Sequence, residues 1–370
     1  SNMGSMQNQQ RWGSLLVNLG LLLLILIWTI PTLGLFISSF RNRDSIQNSG
    51  WWNVFPHRTY ETVATLTPAD MGLDPTGPMV VEGVETTFEE MRKTGVTAED
   101  GTFYRWVGNR RLGRIEQQEQ KWAVDWSFTL DNYRQVLSGK SFEYKRPDGS
   151  IQTIPGDNFV SAFLNSLAVA VPATVIPILV AAFAAYGFAW MRFPGRRLLF
   201  IMVVALLVVP LQVALVPILR DFNMLKINGT FLAMWMAHTG FGLPLATYLL
   251  FNYISQLPRE TLESAFIDGA SHFTVFRKLI LPLSVPALAS FAIFQFLWVW
   301  NDYLVAIIFL GGSPETKVIT QRLADIVGSR GSDWHLLTAG AFLTMLLPMI
   351  VFFSLQRFFV RGLLAGSVKG

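Results

Sequence analysis

Six stretches of this chain, 15–40, 159–190, 198–219, 231–254, 283–310 and 336–355, are apolar over the length of a bilayer and decide what the rest can fold into. A span needs about 20 predominantly apolar residues. Inside lipid every backbone N–H and C=O must find its partner within the protein, so runs of this length are expected to be helical. The expected fold class is an all-α polytopic membrane protein of six transmembrane helices, interrupted by one large polar insertion. Composition agrees: 51% of the residues are hydrophobic and 15% are charged.

Several function classes lose their chemistry at once. There is no cysteine, hence no disulfide and no thiolate metal site. His57, His238, His272 and His335 lie far apart with no HExxH spacing, so no metal site is predicted. No G-x-x-x-x-G-K-[ST] loop occurs, and any ATP hydrolysis must be done by another chain. The spans hold no paired carboxylates, which leaves a membrane-embedded enzyme without a catalytic group. A secondary transporter or channel is the remaining rival. It needs an ion-coupling or conduction site, and Asp302 is the one charge placed well inside a span.

Residues 1–6, SNMGSM, resemble a remnant of an expression tag, and with 7–14 they precede the first span. That span, 15–40, is longer than a signal-peptide core and lacks a small-x-small cleavage site after it, so it is expected to persist as an anchor. Residues 41–157 differ in kind, with 14 Lys and Arg against 17 Asp and Glu among scattered aromatics. They predict a folded α+β insertion of modest core. Thr87 to Glu90 fits a capping box whose helix Gly95 closes, and 130–138 a second helix closed by Gly139. Pro147-Asp148-Gly149 marks a hairpin between 142–146 and 150–154, while 60–78, rich in Thr, Pro and Gly, suggests no regular element.

Between the fourth and fifth apolar runs lies a polar elbow, 258–282. Pro258 suits a helix first turn, with Glu260 and Glu263 following where negative charge favours the N-terminus. Leu262, Ala265, Phe266 and Gly269 fall on one stripe of a short helix. Asp268-Gly269 breaks it, Ser271 caps a second helix, and Arg277 and Lys278 complement that helix's C-terminal end.

Glu263-Ser264-Ala265, Asp268-Gly269-Ala270 and Ile280-Leu281-Pro282-Leu283, in this order and spacing, resemble the EAA loop of membrane subunits of ATP-binding-cassette (ABC) importers. Phe128 to Tyr133, Phe163 to Ser166, Arg192 to Arg196 and the tail from Gln356 extend the likeness to sugar-importer permeases of the maltose type. The long insertion is the chief departure and is similar to permeases for α-glucosides. The resemblance implies a type I ABC importer permease with no cofactor on this chain, ATP and Mg being held by the partner ATPase. Implied partners are a second permease subunit, two ATPase subunits, an extracytoplasmic sugar-binding protein and membrane lipid. The resemblance makes the elbow the coupling helix, seated in a cleft of the ATPase: Glu263 pairs with a basic residue there, Gly269 makes the turn, Ala265 and Phe266 fill the cleft, and Ser264 and Asp268 belong to the same coupling group. Arg361 and Lys369 in the tail, 356–370, are candidates for the same partner or for anionic lipid.

If the elbow is cytoplasmic, ten Lys and Arg lie in cytoplasmic segments against five in short outer loops, which places both termini in the cytoplasm of a bacterial cell. The net charge of +4 then reflects a membrane-facing surface, and no nucleic-acid partner is needed. For the substrate path the candidates are Gln212, His238, Gln295, Trp298, Asn301 and Asp302, since amides and aromatic faces hold sugars. A buried Asp costs roughly 2.5 to 3.5 kcal/mol at a span's centre, so Asp302 should face protein or water. Asn301-Asp302 either steadies the bundle or reads the sugar. Pro172, Pro177, Pro210, Pro217 and Pro244 are expected to interrupt helices. An α-linked disaccharide such as maltose, trehalose or sucrose is the expected cargo, and the insertion clamps the binding protein, packs on the partner permease or lids the entrance.

Overall fold

The computed structural model describes residues 2–139, 142–154, 159–330 and 333–365. The chain divides into two compact units: residues up to 43 with those from 129 onward, and residues 44–128. In chain order, α1 (Asn2–Ser39) is followed by α2 (Arg43–Asn48) and then by the strands of the smaller unit. Large side chains on α1 from Trp12 to Phe36 are exposed all round, apolar surface that water alone would not suit.

In the smaller unit, β1 (His57–Leu66), β2 (Met79–Val81), β3 (Val84–Thr86), α3 (Phe88–Lys93), β4 (Val96–Thr97), β5 (Phe103–Val107) and β6 (Arg114–Ala123) build a four-stranded antiparallel sheet of order β1-β6-β5-β4, with β2-β3 as a separate hairpin. Met79, Val81, Phe88, Met91, Trp106 and Ile115 form its core. Thr87 caps α3 by accepting the Glu90 amide N–H at 3.3 Å. Gly95 ends the helix at φ +73°, where a Cβ would strike the Phe103 ring. The unit's α+β character agrees with expectation, and the strands of this sheet are additional to the expected hairpin. Residues 60–66, expected to be irregular, belong to β1: Tyr, Thr and Val suit a pleated strand, and pairing with β6 holds them there.

This unit stops at Phe128, short of the expected 41–157 insertion. The chain after it, α4 (Asp131–Ser138), belongs with the membrane helices. The buried Asn132 amide donates to the Ser39 and Arg41 carbonyls at 2.9 and 2.7 Å, and the Tyr133 hydroxyl donates to Ser39 Oγ at 2.6 Å. The end of α1 has no helical N–H to satisfy these carbonyls, so Asn132 completes the terminus. Asn132→Ala is expected to cost about 1–3 kcal/mol, read as a lower unfolding midpoint in detergent. β7 (Phe142–Lys145) and β8 (Ile151–Ile154) pair as the expected hairpin.

The remaining helices are α5 (Phe159–Trp190), α6 (Arg196–Ala205), α7 (Leu211–Met224), α8 (Phe231–Ile254), α9 (Arg259–Ile267), α10 (His272–Val275), α11 (Leu281–Leu283), α12 (Val285–Asn301), α13 (Leu304–Phe309), α14 (Ile319–Arg330) and α15 (Trp334–Ala365). Among the described residues, three helices are singly long and apolar enough to span: α1, α5 and α15. Two bent pairs pass that test together, and α8, at 24 residues, has the length with a more polar sequence.

Two expected spans need correction. Run 198–219 is not one helix: it turns through 105° at Val209-Pro210, where Pro210 holds Val209 extended. Run 283–310 breaks at Asp302-Tyr303, with Asp302 extended at ψ 135°. The 258–282 elbow joins α12 through a further 73° bend.

Pro172 and Pro177, by contrast, interrupt nothing in α5, nor Pro217 in α7 or Pro244 in α8. A proline frees the carbonyl four residues back, which in lipid must find another donor. Trp235 Nε1 donates to Ala168 O at 2.8 Å, four residues before Pro172. Gln295 Nε2 donates to Ala173 O at 3.1 Å, four before Pro177. Trp300 Nε1 donates to Thr344 O at 3.0 Å, four before Pro348 of α15. Each of these freed carbonyls thereby ties two helices together.

Candidate functional site

The elbow is built as the residue types dictate. α9 ends in a Schellman turn: the Ala270 N–H donates to Ala265 O and the Gly269 N–H to Phe266 O, both at 3.0 Å, with Gly269 at φ +85°. Ser271 Oγ then accepts the Thr274 N–H at 3.2 Å and opens α10. A π-helical turn over Phe276–Ile280 leads into α11.

The apolar stripe faces the body of the protein. Leu262 is fully buried, and Ala265 and Phe266 are half-buried against a core containing Tyr186, Ile254, Val275 and Phe276. Ala265 and Phe266, expected to fill a partner's cleft, give part of their surface to this packing, because the helix needs its one apolar face to stay attached. Tyr186 and His272 share a hydrogen bond of 2.6 Å between the hydroxyl and Nδ1, and Phe266 lies edge-on to His272 at 5.0 Å. The elbow is thus joined to the end of α5.

Glu263, Ser264, Asp268 and Gly269 point outward. Glu263 Oε1 meets Arg259 Nε at 2.6 Å, with both side chains exposed. Between these polar groups stand two apolar side chains that sequence reasoning missed, Ile267 at 84% exposure and Phe273 at 61%. They lie off the helical stripe, and that is the signal: large apolar residues on the polar side of a short amphipathic elbow. The Arg361 side chain and all of Lys369 lie outside the described residues.

Of the path candidates, the structure brings together four. His238 is completely buried on α8, its Nε2 3.7 Å from Asp302 Oδ2. Asp302 accepts the Val305 N–H at 3.2 Å and the Ala306 N–H at 3.0 Å, capping α13 across the break. Gln295, also buried, donates to the His238 carbonyl at 3.2 Å as well as to Ala173. Trp298 stands edge-on to His238 at 5.9 Å. Gln212 and Asn301 are not part of this group: Gln212 is exposed on α7, and the Asn301 amide bonds its own helix at Leu297 O, 2.9 Å away. Asp302→Ala should cost about 1 kcal/mol by removing the α13 cap, measured as lower thermal stability in detergent.

Trp298 lines a cavity of about 490 Å³ at the α6–α7 bend, with Phe222, Met236, Phe241 and Pro244. The wall is mostly apolar. No cluster of metal-ligating side chains is present among the described residues.

The sequence model described as "binding-protein-dependent transport system inner membrane component" matches residues 163–364, a segment that holds the elbow, both broken spans and the His238–Asp302 group. The chain belongs to that family. As a permease component of this kind it is a multi-pass membrane protein and no enzyme, the ATPase being a separate subunit. The alpha-glucoside transport system permease protein AglG of Rhizobium meliloti is 48% identical, over 96% of this chain and 97% of that protein. The osmoprotective compounds uptake permease protein GgtD of Synechocystis is 46% identical over 97% and 93%. The trehalose transport system permease protein SugB of Mycobacterium tuberculosis is 31% identical over 72% and 91%. The likeness to AglG and GgtD spans nearly the whole chain and so extends beyond the family segment.

Proposed function

We propose that this chain is the permease subunit through which an ABC importer takes up an α-linked di- or oligosaccharide of the maltose, trehalose or sucrose type. The 48% identity to an α-glucoside permease, sustained over 96% of the chain, carries this reading. A soluble sugar-binding protein delivers the sugar outside, a second permease completes the pathway, and two ATPases holding ATP and Mg close on the cytoplasmic side. Both termini are cytoplasmic.

The elbow transmits that closure. Glu263, Ser264, Asp268 and Gly269 meet the ATPase, and Ile267 and Phe273 take the apolar role first given to Ala265 and Phe266. Arg361 and Lys369 reach the same partner or anionic lipid. His238, Trp298 and Asp302 border the path. Gln295 holds it in shape, and Gln212 lies towards the second permease. Nucleotide and sugar act only through their differential affinity for the inward- and outward-facing states.

A second reading, uptake of an osmoprotective compound, is favoured by the 46% identity to GgtD. Proteoliposomes carrying the whole complex decide between them. Uptake of an α-glucoside that depends on ATP and on the binding protein supports the first; uptake of osmoprotectants alone supports the second; ATP-independent flux favours a secondary transporter or channel.

A further inference from the structure

We propose that one end of the 44–128 unit is an interfacial lipid anchor, an aromatic patch made by Trp52, Phe55, Trp122, Trp126 and Phe128 that rests in the headgroup layer of the leaflet where α1 ends. These are five of the six exposed aromatic side chains of the unit, each more than half exposed. They fall in only two segments, 51–55 and 122–128, and hydrogen bonds hold the segments together. The Asp125 N–H donates to Asn53 O at 2.9 Å, and Trp126 Nε1 donates to Val54 O at 2.8 Å. His57 pairs with Ala123 and Arg58 with Trp122, and the Arg58 guanidinium lies 5.3 Å over the Trp122 ring.

Chain connectivity names the occupant. Phe128 precedes Thr129, whose N–H donates to Phe40 O at the end of α1, a helix long and apolar enough to cross a bilayer. Trp126 is three residues before Thr129, and consecutive Cα atoms are 3.8 Å apart, so the chain keeps it within about 11 Å of Thr129. Tryptophan, with an apolar ring and a polar N–H, is enriched at the membrane–water boundary, and an arginine beside it suits lipid phosphate. Left in water, so many clustered aromatics would form an adhesive patch. The opposite turn, between β5 and β6, exposes Arg111 and Leu112 and no aromatic ring, as a water-facing end should.

The inference depends on α1 crossing the membrane and not on the transported substrate. The chain has no cysteine, so single cysteines can be spin-labelled uniquely. The full chain in lipid nanodiscs, labelled as Phe55→Cys, Trp126→Cys or Leu112→Cys, is tested for collisions with oxygen and with a water-soluble nickel chelate. Labels at 55 and 126 are expected to favour oxygen, reversing the order at 112. Chelate access at 55 and 126 equal to that at 112 overturns the proposal. Shielding of both positions from both reagents overturns it too, since protein would then cover the patch.

Discussion

Glu263→Lys is expected to abolish sugar-stimulated ATP hydrolysis in the assembled complex while leaving this chain folded. Among the described residues Glu263 pairs with Arg259, an exposed pair at i,i+4. Such a pair contributes about 0.3–0.5 kcal/mol, so its loss barely affects the fold. In the proposed docking Glu263 faces a basic residue of the ATPase, and there the same change would set two cations together. Breaking a buried ion pair costs about 3–5 kcal/mol, which is roughly two to four powers of ten in assembly. Hydrolysis and the ATPase retained on purification should fall together. Glu260→Lys in the same helix is the comparison, and a smaller effect is expected there, because the docking account assigns that position no partner.

Gly242→Val is the second large effect, and it acts on the bundle. A Cβ at 242 would lie 2.5 Å from Gln295 Oε1 and 2.8 Å from Nε2, and Gln295 is buried. The amide must leave, which strips the Ala173 and His238 carbonyls of their donor. Overpacking costs about 1–3 kcal/mol, and the deserted polar groups add about 1–3 kcal/mol more. The expected result is a chain that inserts but unfolds at clearly lower temperature. Gln295→Ala in the same chain opens room for the valine, so the double variant should lose less than the two single losses added together.

Much of this was legible in the sequence, for reasons particular residues make plain. Asp268-Gly269 and Ser271 announced the elbow because a helix stop and a helix start each need a residue of special conformation or a side-chain acceptor. Long apolar runs announced α1, α5, α8 and α15. What stayed hidden depended on partners distant in the chain. Nothing near Pro177 says that Gln295 will take the carbonyl it frees, and nothing near Asn132 points to the end of α1. Pro210 breaks its helix while Pro172 does not: Trp235 of another helix accepts the charge of satisfying Ala168, a fact of packing and not of local propensity. The inward turn of Ala265 and Phe266 was similarly undecided, since a short amphipathic helix shows which residues share a face but not what that face meets.

ATP hydrolysis by the reconstituted complex, measured with its binding protein over a panel of α-glucosides and osmoprotective solutes, tests the central claim most directly. The account predicts that an α-linked di- or oligosaccharide raises hydrolysis and that omitting the binding protein removes the rise. Hydrolysis indifferent to every α-glucoside, or stimulated only by osmoprotective solutes, would contradict it.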